Sequence, residues 1–352
     1  MKGNTLIPAI DMHAHFWPKR FLESMQNGTE WFGWKKIGNV EAKTIFQVGN
    51  DVLTFKLPKS DLIDPAARTN TRITTQGVTL EAPMVVGFLW NYHLDYDDSI
   101  AFCREVNEEL AEVQHAYPNN YHGLALLPAQ NKKAALQELR YAVDTLGLTS
   151  FAMASHVNGQ NLDEKELIEI IEEIAKEKLS LSIHPEFFNK IGDKDRLMRH
   201  YFKSSIGAPA ETSIAMLSLI YSGIFDRYPD FKVSFTQGGG FAPYSIGRNG
   251  VRWGLDAVES RATKLSPEKY LKNCYVDCLV HDDLSFAFLL ERMGHKNILI
   301  GTDYPFDWDH PGGSANWIRG MEHLSLDVRK DLLWNTAAKF LGTKVPYQEI
   351  SV

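Results

Sequence analysis

His13 and His15 stand two residues apart at the end of an apolar run, IPAIDMHAHF (7–16). On a strand, the side-chain period of two puts both imidazoles on one side, where they can chelate a single ion. A His-x-His pair alone is a weak signal, because two partly buried histidines hydrogen-bonded at a strand end give the same pattern. Two further residues sharpen it: His184 lies near the end of the apolar run LSLSIHP (179–185), and Asp303 near the end of NILIGTDYP (297–305). Three imidazoles and one carboxylate suit Zn2+ or a similar divalent ion such as Mn2+, with one position left open. No lysine occurs in the run SFAMASH (150–156), so a lysine-derived bridge to a second metal has no candidate there. One ion per chain is expected.

Residues this far apart in sequence need a scaffold that returns every strand end to one place. Eight short apolar runs are spaced along the chain: 7–16, 84–90, 121–128, 150–156, 179–185, 232–238, 274–280 and 297–305. Between them lie stretches with apolar residues three and four apart, the period of an amphipathic helix, at 97–117, 132–146, 163–178, 210–227 and 283–293. This alternation predicts an α/β fold, a (β/α)8 TIM-like barrel, whose chemistry collects at the C-terminal ends of its strands. A doubly wound open sheet is the runner-up, but it would more often carry a glycine-rich phosphate motif after its first strand, and none is there. Residues 17–75 break the alternation. TIFQVGNDVLTFK (44–56) reads as a hairpin turning at Gly49-Asn50-Asp51, an insertion after strand 1 covering the barrel mouth. The whole chain, 1–352, is read as one domain. Three more polar residues stand at strand ends: His156 after strand 4, Gln237 in FTQGGG after strand 6, and His281 after strand 7.

Composition excludes several classes. The 352 residues carry 37 basic and 44 acidic side chains, a net charge of −7, with no clustered basic run, which argues against a nucleic-acid or anionic-membrane partner. Three cysteines cannot form a paired framework, and no apolar run reaches the roughly 18–20 residues of a membrane span. A cytoplasmic protein acting on a small molecule is expected.

The segments DMHAHF (11–16), SIHPEF (182–187), PAETSIAMLSLIYSGIFDRYPDFKV (209–233), GGGFAPYSIGR (238–248), VDCLVHDDLS (276–285) and GTDYPF (301–306) resemble the amidohydrolase superfamily in its metal-dependent decarboxylase branch. The resemblance implies His13, His15, His184 and Asp303 as metal ligands. It also implies non-oxidative decarboxylation of an unsaturated or aromatic carboxylic acid. The family's hairpin arginine, which holds the substrate carboxylate, is matched by Lys56. A second arginine, reaching in from a neighbouring subunit, is matched by Arg248, and this implies a homodimer. Lys56 keeps the charge but loses the planar fork of arginine. Trp90, with Phe16 and Trp17, is a candidate wall for a flat substrate, although core packing explains these residues equally well.

One departure bears on the reaction. Where the family keeps an acid/base histidine after strand 6, this chain has Gln237. An amide hydrogen-bonds but does not titrate near neutral pH, and a positioned acid/base is worth roughly 10²–10⁴ in rate. Gln237 can orient a substrate oxygen, leaving Asp303, His281 and His156 as candidates for moving the proton. The alternative reading is a metal-dependent hydrolase of a C–N, C–O or C–C bond on the same scaffold.

Overall fold

The computed structural model describes residues 5–187, 191, 194–255, 262–306 and 309–351. The strands that build the site are, in chain order, β1 (Ala9–Phe16), β2 (Trp34–Val40), β3 (Lys43–Val48), β4 (Asp51–Phe55), β5 (Val78–Val85), β6 (Leu124–Leu126), β7 (Ser150–Ala154), β8 (Ser180–His184), β9 (Lys232–Phe235), β10 (Cys274–Asp277) and β11 (Ile298–Leu299). The principal helices are α1 (Pro65–Gln76), α2 (Tyr96–Ala116), α3 (Lys132–Asp144), α4 (Lys165–Lys176), α5 (Ala208–Tyr221), α6 (Ala242–Leu255) and α7 (Asp283–Met293).

The fold is α/β. Strands β6 to β11 form a six-stranded sheet in the order β11-β10-β9-β8-β7-β6, with every pairing parallel. β1 and β5 form a second parallel pair. Isolated parallel bridges continue the order at both seams: Glu81 to Tyr121 between β5 and the chain before β6, and Asp11 to Ile300 and Ala14 to Tyr304 between β1 and the chain after β11. β2, β3 and β4 make a separate antiparallel sheet, with β3 and β4 turning at Gly49-Asn50.

Local sequence explains most of these elements. β7 is buried throughout and β8 nearly so, as expected of strands covered on both faces, and both read as continuous runs of small and apolar residues. In α4 the residues Leu167, Ile170, Ile171 and Ile174 turn one face inward. Each such side chain contributes roughly 1.5–3 kcal/mol on full burial. Asp95 caps α2 by accepting from the Asp98 amide, and Asp282 caps α7 by accepting from Leu284 and Ser285.

The second strand differs from the sequence expectation. The apolar run suggested 84–90, whereas the ladder lies at Val78–Val85 and the chain turns directly after it, with the Leu89 amide on the Val86 carbonyl. Glu81 and Pro83 interrupt the apolar pattern of the true strand. Glu81 is buried because two guanidinium groups neutralise it: Arg68 Nε donates to Oε2 at 2.8 Å and Arg72 Nε to Oε1 at 3.0 Å. Buried ion pairs of this kind cost desolvation and contribute position more than stability. Arg68 Nη1 also donates to the His15 carbonyl at 2.8 Å, and Arg72 reaches Asp11 and Thr302. The network therefore ties β1, β5, α1 and the residues after β11 together directly beneath the two histidines.

His122, just before β6, supplies a pH signature away from the site. Its Nε2 lies 2.9 Å from Ser150 Oγ, and burial pushes the ring down from 6.5 to about 4. A histidine depressed on folding contributes stability that is present above its unfolded value and lost as pH falls toward its folded one. Acidification from about 6.5 to 4 should thus cost about 2 kcal/mol at this residue, taking roughly 1.4 kcal/mol per unit and discounting for partial exposure. The difference in melting temperature between the parent and His122→Gln should narrow across that window.

Candidate metal centre

β1 delivers His13 and His15, β8 ends on His184, and Asp303 follows β11. Their ligand atoms all lie within 4.8 Å of one another. The three imidazole rings are mutually edge-on, with centroids 5.0–5.4 Å apart. Both β1 histidines are about 1% exposed. Asp303 Oδ1 is 2.7 Å from His15 Nε2 and 3.4 Å from His13 Nε2. His13 Nε2 is buried without a hydrogen-bond partner, aimed at the carboxylate. Three imidazoles and a carboxylate converging this tightly fit one divalent ion.

The outer contacts fix which nitrogen faces the cluster. His184 Nδ1 donates to the Pro185 carbonyl at 2.7 Å, which turns Nε2 toward the other ligands. His13 Nδ1 donates to Asp277 Oδ2 at 2.8 Å, while Asp277 Oδ1 accepts from the Gly238 and Leu279 amides at 2.8 and 3.1 Å. Asp277 is the residue that sequence reasoning passed over. It ends β10 inside an apolar run, 264 residues from His13, and only the carboxyl in that run hints at a role. Asp277→Asn keeps a carbonyl for the two amides but removes the charge behind His13. It should lower metal affinity roughly 10–100-fold, read by chelator competition, with secondary structure unchanged.

Electrostatics follow from the same contacts in the metal-free cluster. Burial opposes a proton on His13, but the carboxylates of Asp303 and Asp277 outweigh it and hold the ring up at about 10. For His184, burial and then the neighbouring His15 and His13 rings push the imidazole well below its usual value. Burial would raise Asp303, yet the His13 and His15 rings overcome it and hold the carboxyl below the ordinary range.

The cluster opens onto a cavity of about 1590 Å³, which His15, His184 and Asp303 line together with Gln237 and His281. Gln237, His281 and Asp303 all take a left-handed backbone, with φ of +56°, +65° and +57°. Non-glycine residues hold this conformation at a cost and cluster at functional sites. Phe55, Phe88, Phe187 and Phe306 supply aromatic wall. Other sequence candidates lie elsewhere. His156 is buried off the cavity lining, its Nε2 3.9 Å from both Glu186 Oε2 and Glu211 Oε1. Trp90 packs behind His184 at 6.3 Å between ring centroids and is 2% exposed. Lys56 and Arg248 are exposed and do not line the cavity of their own chain. Glu186, a pocket-wall position in the sequence reading, lines it, and so does Lys203, to which that reading gave no role.

A parallel α/β scaffold with a His3Asp cluster at its strand ends defines a metal-binding protein of the class that keeps its chemistry on that face. The amidohydrolase family model matches residues 10–343, and the chain belongs to that family. It is 32% identical over 341 residues to 2-amino-3-carboxymuconate-6-semialdehyde decarboxylase of Dictyostelium discoideum, covering 95% of this chain and 91% of that protein. It is 26% identical over 284 residues to gamma-resorcylate decarboxylase of Polaromonas sp., covering 75% and 82%. Among solved structures, the fold matches 5-carboxyvanillate decarboxylase LigW from Sphingomonas paucimobilis with a TM-score of 0.77 at 19% identity, covering 96% of this chain and 100% of that one. It also matches dihydroxybenzoic acid decarboxylase from Polaromonas sp. JS666, solved with bound manganese and 2-nitroresorcinol, with a TM-score of 0.74 at 18% identity, covering 96% and 97%.

Proposed function

We propose that this protein is a metal-dependent, non-oxidative decarboxylase of an aromatic or unsaturated carboxylic acid. The observation that carries this reading is the His3Asp cluster opening into an aromatic-walled cavity, in a chain whose relatives are named decarboxylases. In this reading His13, His15, His184 and Asp303 hold one Zn2+ or Mn2+, and manganese in one structural neighbour supports the second choice. When bound, the ion supplies Lewis acidity toward a substrate oxygen.

The chain's own residues do the rest. Phe55, Phe88, Phe187 and Phe306 form a slot for a flat substrate and exclude water from its carboxylate. Gln237 orients a substrate oxygen through its amide. His281, on the cavity rim and outside the ligand set, delivers a proton to the carbon that loses CO2. His156 acts from behind the cavity wall, across from Glu186.

The eight parallel strands close as a (β/α)8 barrel in this proposal, supported by bridges at both seams. The β2–β4 sheet covers its mouth, as Val52, Leu53, Thr54 and Phe55 on the cavity suggest. A homodimer is supported by Tyr201, Tyr244 and Leu284, which are 79%, 79% and 84% exposed around the same cavity. Contiguous exposed apolar surface of this kind marks an interface. Arg248 lies on α6 one turn from Tyr244, and in this proposal it serves the partner subunit's cavity.

Metal-loaded protein incubated with aromatic and unsaturated acids in oxygen-labelled water should release CO2 and leave a product lighter by that mass, with no labelled oxygen in it. Incorporation of oxygen from water without CO2 would replace this reading with the hydrolase on the same scaffold.

A further inference from the structure

Among the described residues that line the cavity, Lys203 is the only lysine or arginine. The other lining bases are imidazoles, two of which belong to the metal cluster, and the acidic groups of Glu186, Asp303 and Asp309 share the same space. An anionic ligand entering this cavity therefore meets one fixed positive charge. Lys203 Nζ sits 4.0 Å from the centroid of the Phe187 ring. That contact favours a cation over the ring face and holds the ammonium against the aromatic wall. The residue also opens a wide π-helical turn, Lys203–Gly207, which runs straight into α5. Such turns are rare and recur at functional sites, where they re-aim side chains.

Resting on the decarboxylase reading, we propose that Lys203 is the specificity-determining residue that seats the substrate's carboxylate from within its own chain. The ligand it selects is an aromatic or unsaturated acid whose flat body lies along Phe187 and Phe88, whose rings are 6.0 Å apart at their centroids. An ammonium acts as a point charge, so it accepts a carboxylate from a range of directions where an arginine fork would demand one.

The test uses Lys203→Met, which keeps the apolar stem against Phe187 and removes the charge. Binding of benzoate and of its neutral counterpart benzamide to metal-loaded protein is measured by calorimetry. The parent should prefer benzoate. Lys203→Met should lose at least about tenfold in benzoate affinity and almost nothing for benzamide, and Lys203→Arg should recover part of the loss. With any acid the parent decarboxylates, the substitution should raise KM more than it lowers kcat. Unchanged benzoate binding and KM in Lys203→Met would overturn the assignment, as would a parent that binds both probes equally. If acids are still decarboxylated in either case, only the role of Lys203 falls. If no acid is decarboxylated by the metal-loaded parent, the proposed function falls instead.

Discussion

Gly87→Ala should weaken metal binding in a protein that otherwise keeps its fold. Gly87 lies in the turn after β5 and lines the cavity. A β-carbon built there would stand 2.9 Å from His184 Cε1 and 3.3 Å from Nδ1. The first distance is shorter than side chains tolerate, so the ring or the turn must move. The ring has little room to give, because its Nδ1 is held by the Pro185 carbonyl at 2.7 Å. Gly87 does not occupy the left-handed region, so its conformation suits any residue, and only the space it leaves empty demands glycine. Loss of the packing and hydrogen bonds that orient a metal-binding histidine typically costs 10–100-fold in metal affinity, and that is the range expected from chelator competition.

A general packing defect is separated from this by a second background. In His184→Ala the ring is gone, and adding Gly87→Ala should cost no further stability. If the alanine destabilises both backgrounds equally, or if Gly87→Ala binds metal like the parent, the steric account is wrong.

Gly87 also illustrates what a single sequence conceals. The His3Asp cluster was legible because strand ends announce themselves: a histidine or aspartate near the end of an apolar run is unusual, and three runs carrying four such residues point to one face. The helices at 97–117, 132–146, 163–178 and 283–293 were legible from period alone, and the observed spans lie within two residues of them. β5 was hidden because Glu81 and Pro83 break its pattern, and the arginines that permit Glu81 come from α1. Asp277 was hidden because its partner is on the first strand and its own run looks like core. Lys203 lies outside every strand and helix that the sequence marked, and only the topology brings its turn to the cavity. Single positions reveal residue type, whereas these roles belong to pairs that only the tertiary contacts create.

Alkali should destabilise the metal-free protein and leave the metal-loaded protein almost untouched. Without metal, Asp303 and Asp277 hold His13 protonated up to about 10, against an ordinary value near 6.5. A histidine raised on folding contributes stability that is complete below its unfolded value and disappears as pH rises through the folded one. The metal-free melting temperature should therefore fall as pH climbs from about 6.5 toward 10. Binding cancels the trend, because the ion takes His13 Nε2 only after expelling that proton. One proton released per ion makes the apparent affinity rise about tenfold per pH unit, or roughly 100-fold between pH 6 and 8. A ligand that binds only the folded state raises stability with its affinity, so at fixed free metal this gain offsets the loss of metal-free stability, and the loaded protein's melting temperature should stay nearly flat through the same window. Asp303→Asn removes both a ligand and the charge nearest His13, and should weaken binding while making its pH dependence shallower. Parallel melting curves with and without metal, taken at one-unit steps, decide the matter. If the loaded protein falls between pH 6.5 and 9 as steeply as the metal-free one, or if the metal-free protein does not fall, His13 does not carry the proton that the metal displaces.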